Sequence, residues 1–190
     1  MTRKLSLLFV LTMFTALLFS ISPVSVISSG NQELNLVFRA PMLEIDSQTI
    51  GGEDFQILKM AESSQPADMG SPNLPVYSGS IILPPAGSYT LQVSSVKSRT
   101  ISGIRPVPVY DDIPGKSIPA LDPQKYYDYT PKALVEPGEI AILRDFRILQ
   151  FSVNPLEWNS GNGELTIHEE LNISIHFNSE KSSNELPAYS

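Results

Sequence analysis

The side chains able to do chemistry in this chain are few, and their spacing keeps them apart. His168 and His176 are the only histidines, and the chain has no cysteine, which excludes a thiol nucleophile. Both histidines are even-numbered in one alternating run, so both are expected to face away from its apolar side. Eight residues at about 3.3 Å each separate them by roughly 26 Å, too far to share a metal ion. No Gly-x-Ser-x-Gly elbow supplies a serine partner, and the two read as exposed strand histidines. Glu169 and Glu170 point to opposite faces of the same strand and do not form an acid/base pair. Asp111, Asp112 and Asp122 match no EF-hand spacing and read as loop solvation. The sequon Asn172-Ile173-Ser174 lies mid-strand, an unfavourable place for a glycan. No catalytic residue, metal ligand or cofactor cradle is expected in these 190 residues.

The N-terminus carries a different kind of information. Arg3 and Lys4 precede an apolar run over residues 5–19, and a small-residue stretch with Pro23 inside it follows over 20–30. Charge, apolar core and small residues in that order predict a secretory signal peptide over residues 1–29, cleaved between 22 and 30. The run falls short of the roughly 20 residues that span a bilayer, and no cysteine follows it for lipid attachment. The mature chain is therefore expected outside the cell, secreted or at its surface, and free of the membrane. Loss of Arg3 and Lys4 leaves 11 basic against 20 acidic residues, a net of −9. Such a surface repels phosphate backbones and argues against nucleic-acid partners. Without disulfides, burial and hydrogen bonding must hold the fold.

The elements between are strands. Sixteen prolines and eleven glycines argue against long helices, and the segments between them alternate with period two. Leu34, Leu36 and Phe38 alternate with polar residues. Leu43 and Ile45, then Phe55 and Ile57, flank Thr49-Ile50-Gly51-Gly52-Glu53, a hairpin turn in which Gly-Gly accepts positive φ. Tyr89, Leu91 and Val93 share one face of a strand over 88–96. Residues 140–153 read as one long strand that switches faces near Ile148-Leu149. In the last strand Leu165, Ile167, Leu171, Ile173, Ile175 and Phe177 point one way, with a bulge expected at Glu169-Glu170. The turn 159–163 is expected to pair these two strands. The pattern predicts an all-β, antiparallel β-sandwich of about eight strands over residues 30–178, the signal peptide being the only helix. Two proline-rich segments, 65–75 and 106–137, interrupt it, and the second is long enough to be functional. Residues 179–190 are polar and patternless and read as a linker toward a downstream domain.

The prolines form an ordered series. Gly70-Ser71-Pro72-Asn73-Leu74-Pro75-Val76 enters a strand ending Ile81-Ile82-Leu83-Pro84. Gly103-Ile104-Arg105-Pro106-Val107-Pro108 follows the next strand, and Val153-Asn154-Pro155 leads on to Glu164-Leu165. Each proline fixes φ and removes a backbone donor, which places these sites at strand edges and sheet crossings. Their order, with Arg147 in the strand before Asn154-Pro155, resembles the N-terminal propeptide domain of gingipain-type cysteine peptidases from about Leu34 to Phe177. Gly70, Pro72, Leu74 and Pro75 are its most specific part; Pro84, Pro106, Pro108, Asn154 and Pro155 complete it. In that family a signal peptide and a β-sandwich prodomain precede a caspase-like catalytic domain with a His-Cys dyad. The prodomain assists folding and export and keeps the peptidase latent by covering its cleft.

The resemblance implies that this chain is the propeptide of a secreted cysteine endopeptidase precursor and not an enzyme itself. Its partner would be the catalytic domain, C-terminal in cis. The resemblance also implies a basic residue offered to the specificity pocket like a substrate. Lys116, in Ile113-Pro114-Gly115-Lys116-Ser117-Ile118-Pro119, has the best context, because the prolines rigidify an extended segment suited to a cleft. Arg99 and Lys97, expected at the end of the 88–96 strand, are the other candidates. A reading of a different class stays open, a secreted β-sandwich that binds a surface partner with no peptidase attached.

Overall fold

A computed structural model of the chain describes residues 22–110 and 123–187. The first half of the described chain forms β1 (Val24–Ser29), β2 (Glu33–Arg39), β3 (Leu43–Ile50), β4 (Glu53–Met60), β5 (Tyr77–Leu83) and β6 (Ser88–Ile101). After the five-residue helix α1 (Pro123–Tyr127) come β7 (Val135–Leu143), β8 (Phe146–Val153), β9 (Leu156–Asn159) and β10 (Glu164–Asn178). A five-stranded sheet has the order β1-β2-β10-β6, with β9 also on β10. Residues 164–167 of β10 pair with β9 and residues 170–176 with β2, so those two strands follow one another along one side while β6 runs along the other. A three-stranded sheet has the order β5-β8-β7, and β3-β4 is a separate hairpin. All of these strand pairs are antiparallel.

The period-two residues explain why the sheets meet. Leu36 and Phe38 of β2, Leu165, Ile167, Leu171, Ile173 and Ile175 of β10, Phe55 of β4, Tyr77 of β5, and Phe151 and Val153 of β8 form one buried cluster, which Leu58 and Met60 also join because β4 changes phase after Phe55. Each such side chain contributes about 1.5–3 kcal/mol on burial. The expected Gly-Gly hairpin joins β3 to β4, with φ of 62° at Gly51 and 87° at Gly52. The expected bulge lies in β10, where the register with β6 shifts on both sides of Glu170. Glu169 has no partner in β6 and Val96 has none in β10. One extra residue in each strand cancels the slip, and so the odd-numbered apolar residues stay on the core face beyond the bulge.

Several expectations are corrected. Residues 140–153 are not one strand but two, β7 and β8, reversed at Arg144-Asp145, where Arg144 takes a φ of 55°. With no glycine or proline, the turn's only local signal is Asp145, a weak one inside an otherwise apolar run. The turn at 159–163 therefore joins β9, not that strand, to β10, and Asn154-Pro155 is the corner where the chain leaves the three-stranded sheet for the five-stranded one. Helix α1 departs from a purely β mature chain; Pro123 suits a first helical position, where its missing donor and fixed φ cost nothing. The strands also begin before residue 30, since β1 pairs with β2 and the Arg39 amide donates to the Pro23 carbonyl at 2.8 Å. Residues 182–186, read as linker, are fastened to the body. The Arg147 guanidinium donates to the Ser183 carbonyl at 3.0 Å, and the Leu186 amide to the Pro85 carbonyl at 2.8 Å.

Candidate functional site

The proline series becomes a piece of structure in which its two halves pair. The Gly70 amide donates to the Val109 carbonyl at 2.9 Å, the Val109 amide to the Ser71 carbonyl at 2.7 Å, and the Asn73 amide to the Val107 carbonyl at 2.8 Å. Pro72 and Pro108 sit opposite each other between those bonds, the one place in an antiparallel ladder where neither residue needs its amide hydrogen. Pro106 lies beside Gln56 in a parallel bridge, where its amide hydrogen is again not needed: Arg105 supplies the carbonyl and Val107 the amide to Gln56. Gly70 enters this ladder with a φ of 88°, a conformation open to glycine and strained for other residues. Leu74 and Pro75 are buried beyond it.

This ladder anchors one end of the connection 111–122, because Val109 and Tyr110 lead straight into it. Helix α1 anchors the other end. Tyr126 is fully buried, its ring 5.0 Å from Trp158 and 6.1 Å edge-on to Phe55, and its hydroxyl donates to the Pro106 carbonyl. Burial raises the Tyr126 pKa well above the ordinary phenol value, so it remains a donor. Trp158 donates from Nε1 to the Ile104 carbonyl at 2.8 Å, and Lys125 donates to the Met69 carbonyl at 3.0 Å, just before Gly70. Arg105 lies 4.3 Å above the Phe55 ring, pairs with Glu53 and donates to the Tyr127 hydroxyl at 2.8 Å. Both ends of the connection are thus held on one aromatic-centred base. Arg105, named above only within the proline series, and Tyr126 and Trp158 carried no functional expectation from the sequence. The aromatic run Tyr126-Tyr127-Asp128-Tyr129 in a proline-rich stretch was the available signal, since aromatics of that density are seldom left in solvent.

Lys116 lies outside the described residues, as do Asp111, Asp112 and Asp122. Lys97 and Arg99 lie within β6 and not in a loop; both grip the bulged Glu169, at 2.6 and 2.8 Å. Those hydrogen bonds, Lys97 first, hold the Glu169 carboxyl below its ordinary range. Pro84 accepts from the Arg147 guanidinium at 2.7 Å. Asn154 ties the sheet corner through its side chain to the Ala133 carbonyl at 2.7 Å, and Pro155 accepts from the His168 amide. His168 corrects the reading of two exposed histidines. It is buried at the bulge, its Nδ1 2.8 Å from Ser95 Oγ and its Nε2 3.0 Å from Glu157. The bulge coils the strand so that neighbouring side chains close over a face that parity alone leaves open. His176 remains half-exposed, 3.7 Å from Glu33. Among the described residues no group of three or more His, Asp or Glu side chains could hold a metal ion.

The chain matches the Propeptide_C25 family over residues 21–187. It belongs to that family. The fold is similar to that in the complex of Porphyromonas gingivalis RgpB pro- and mature domains, with a TM-score of 0.78 at 19% identity, over 88% of this chain and 90% of that one. It is also similar to the structure that addresses zymogenic latency of gingipain K from Porphyromonas gingivalis, with a TM-score of 0.68 at 15% identity, over 84% of this chain and 94% of that one. No curated protein matches the chain in sequence. The Propeptide_C25 membership makes this a propeptide domain of a gingipain-type cysteine peptidase precursor and not its catalytic domain. The paired segments that hold Gly70, Pro72, Pro106 and Pro108 lead directly into the connection between Tyr110 and Pro123.

Proposed function

We propose that this propeptide domain assists folding of the catalytic domain that follows it in the precursor and holds that domain latent, with the connection 111–122 lying in the active-site cleft. The observation that carries the reading is the rigid base: both ends of a twelve-residue connection are fixed by buried groups, Val109 on one side and Tyr126 on the other. Fixed ends leave such a segment less freedom to lose on docking than a free tail has, and a smaller ordering cost is how substrate-like inhibitors gain affinity. Lys116 stands in the middle of that connection with a proline on each side and is assigned the cation that enters the specificity pocket. The complex of RgpB pro- and mature domains supports a catalytic domain as the partner. Export through the N-terminal leader places the precursor outside the cell.

The test is inhibition of the mature peptidase of the same precursor by this chain added in trans. A pocket selecting Lys or Arg holds a buried carboxylate, and removing the cation leaves it unpaired at a cost of about 2–5 kcal/mol. Lys116→Ala should therefore weaken inhibition by roughly thirtyfold to several thousandfold. Lys97→Ala and Arg99→Ala, whose side chains are committed to Glu169, should inhibit as the parent does. Equal inhibition by the parent and all three variants would remove the substrate-like role of the connection.

A further inference from the structure

Arg147 is fully buried, and the acceptors that make its burial tolerable come partly from the body of the fold and partly from the C-terminal segment. Its Nη1 donates to the carbonyls of Pro84 and Gly87, in the turn between β5 and β6, at 2.7 and 3.1 Å. Its Nη2 donates to the Ser183 carbonyl at 3.0 Å. Its Nε has no acceptor among the described residues. A buried guanidinium is destabilising wherever a donor goes unmet, so lifting Ser183 away would add a second unmet donor to the first.

Neighbouring residues fasten the same stretch. Asn184 donates from its side chain to the Ile140 carbonyl of β7 at 2.6 Å, and the Leu186 amide donates to the Pro85 carbonyl at 2.8 Å. One carboxylate oxygen of Glu185 accepts from the amides of Gly87 and Ser182, at 3.1 and 3.0 Å. Gly87 is built for this place. Its φ is 94°, and a Cβ there would lie 2.2 Å from the Asn178 carbonyl oxygen. Residues 182–186 are therefore bonded to β7, to β8 and to the turn that precedes β6, which brings both sheets under one short segment.

The fastening begins directly after Lys181, the last basic residue of the sequence. Lys181 is exposed and lies beyond the end of β10 at Asn178. Exposed polar stretches outside the strands are the usual places for proteolytic nicking, so position alone would make the Lys181–Ser182 bond easy to cut. The backbone around it opposes this. The Glu180 amide donates to the Asn178 side chain at 3.0 Å, the Ser182 amide is held by Glu185, and the Ser183 carbonyl is held by Arg147. Asn184 has a φ of 53°. A peptidase takes its substrate extended, with amides and carbonyls free to pair as a strand would, and this stretch offers neither.

We infer that residues 182–186 are a strap that closes over Arg147 and withholds the Lys181–Ser182 bond from peptidases that cut after basic residues. A pocket that accepts Lys116 would also accept Lys181, so an unguarded bond here would part the propeptide from the catalytic domain early. The strap delays that separation until it is unfastened. The inference takes from the reading above only that a catalytic domain follows and that its pocket selects a basic residue.

Digestion of the full chain with a lysine-specific endopeptidase at neutral pH, followed over time by mass spectrometry of the fragments, tests the strap. Cleavage after Lys181 should run roughly a hundredfold slower than in a synthetic peptide of residues 178–190, because it follows the small open population. Glu185→Ala removes the acceptor of two amides, and Asn184→Ala removes the bond to β7. Each should speed that cleavage by roughly tenfold. Cleavage after Lys132, exposed between α1 and β7, should run alike in parent and variants, and an unaltered thermal transition shows that the fold is intact. A parent chain cut after Lys181 as fast as the peptide overturns the strap. A parent that is protected, with both variants protected equally, overturns it too, because the protection then comes from elsewhere. Inhibition in trans is measured separately, so either failure leaves the latency reading standing, and a failure of inhibition leaves the strap.

Discussion

Tyr126 carries more of the candidate site than any charged residue does. Its hydroxyl satisfies the Pro106 carbonyl, and its ring fills the space between Phe55 and Trp158. Tyr126→Phe keeps the packing and leaves a buried carbonyl without that donor, which should lower stability by about 1–3 kcal/mol. Tyr126→Ala adds a cavity and should cost about 3–5 kcal/mol. Denaturant midpoints measure both, and equal midpoints for parent and Tyr126→Phe would show that the hydrogen bond contributes nothing. Lys97 and Arg99 present the opposite case. Their partner is on the surface, where ion pairs are screened and weak, so Lys97→Ala and Arg99→Ala should leave the midpoint where it is. None of these weights was visible in the sequence. Tyr126 stood in a segment that looked like loop, while Lys97 and Arg99 looked free because Glu169 is seventy or so positions away.

At the scale of elements, the two ends of the chain are worked into the sheets. β1 covers one side of β2, whose Leu36 and Val37 are each 2% exposed. On the proposed export, the mature chain should therefore begin at or before Pro23, and N-terminal sequencing of secreted protein reads this directly. A chain beginning at Asn31 would bare the edge of β2, and it should melt several degrees lower and associate at high concentration. The C-terminal segment should respond to acid. Amides of Ser182 and Gly87 donate to Glu185 and hold its pKa below the ordinary carboxylate value. A carboxyl lowered in the fold stabilises fully above its unfolded value, about 4.3, and the contribution is lost as the pH falls through the lowered folded value. Amide exchange protection at Ser182, Gly87 and Leu186 should thus hold at pH 6 and drop first below about pH 4, with β10 still protected. Simultaneous loss in both places would mean that the segment has no latch of its own.

The whole molecule should unfold as one unit, since both sheets and the β3-β4 hairpin contribute to a single core and no disulfide divides it. Near-ultraviolet dichroism from buried Trp158 and far-ultraviolet dichroism from the strands should give coincident transitions, unmoved by reductant. Two separated transitions would mean that the sheets are independent. What the sequence determined by itself was local in origin. Alternation in β2 and β10, the Gly51-Gly52 hairpin, the bulge at Glu169 and the proline-rich gaps follow from side-chain parity and restricted φ, which act over a few residues. The family resemblance was readable for the same reason, because its prolines mark backbone positions without a donor. The tertiary structure alone decided which sheet each strand joined, that the chain reverses at Arg144, and that the Gly70–Pro75 and Pro106–Pro108 motifs pair with each other. It also decided the burial of Arg147. A guanidinium is costly to desolvate unless acceptors converge on it, and those of Arg147 come from Pro84, Gly87 and Ser183, which are neighbours only once the strands have paired.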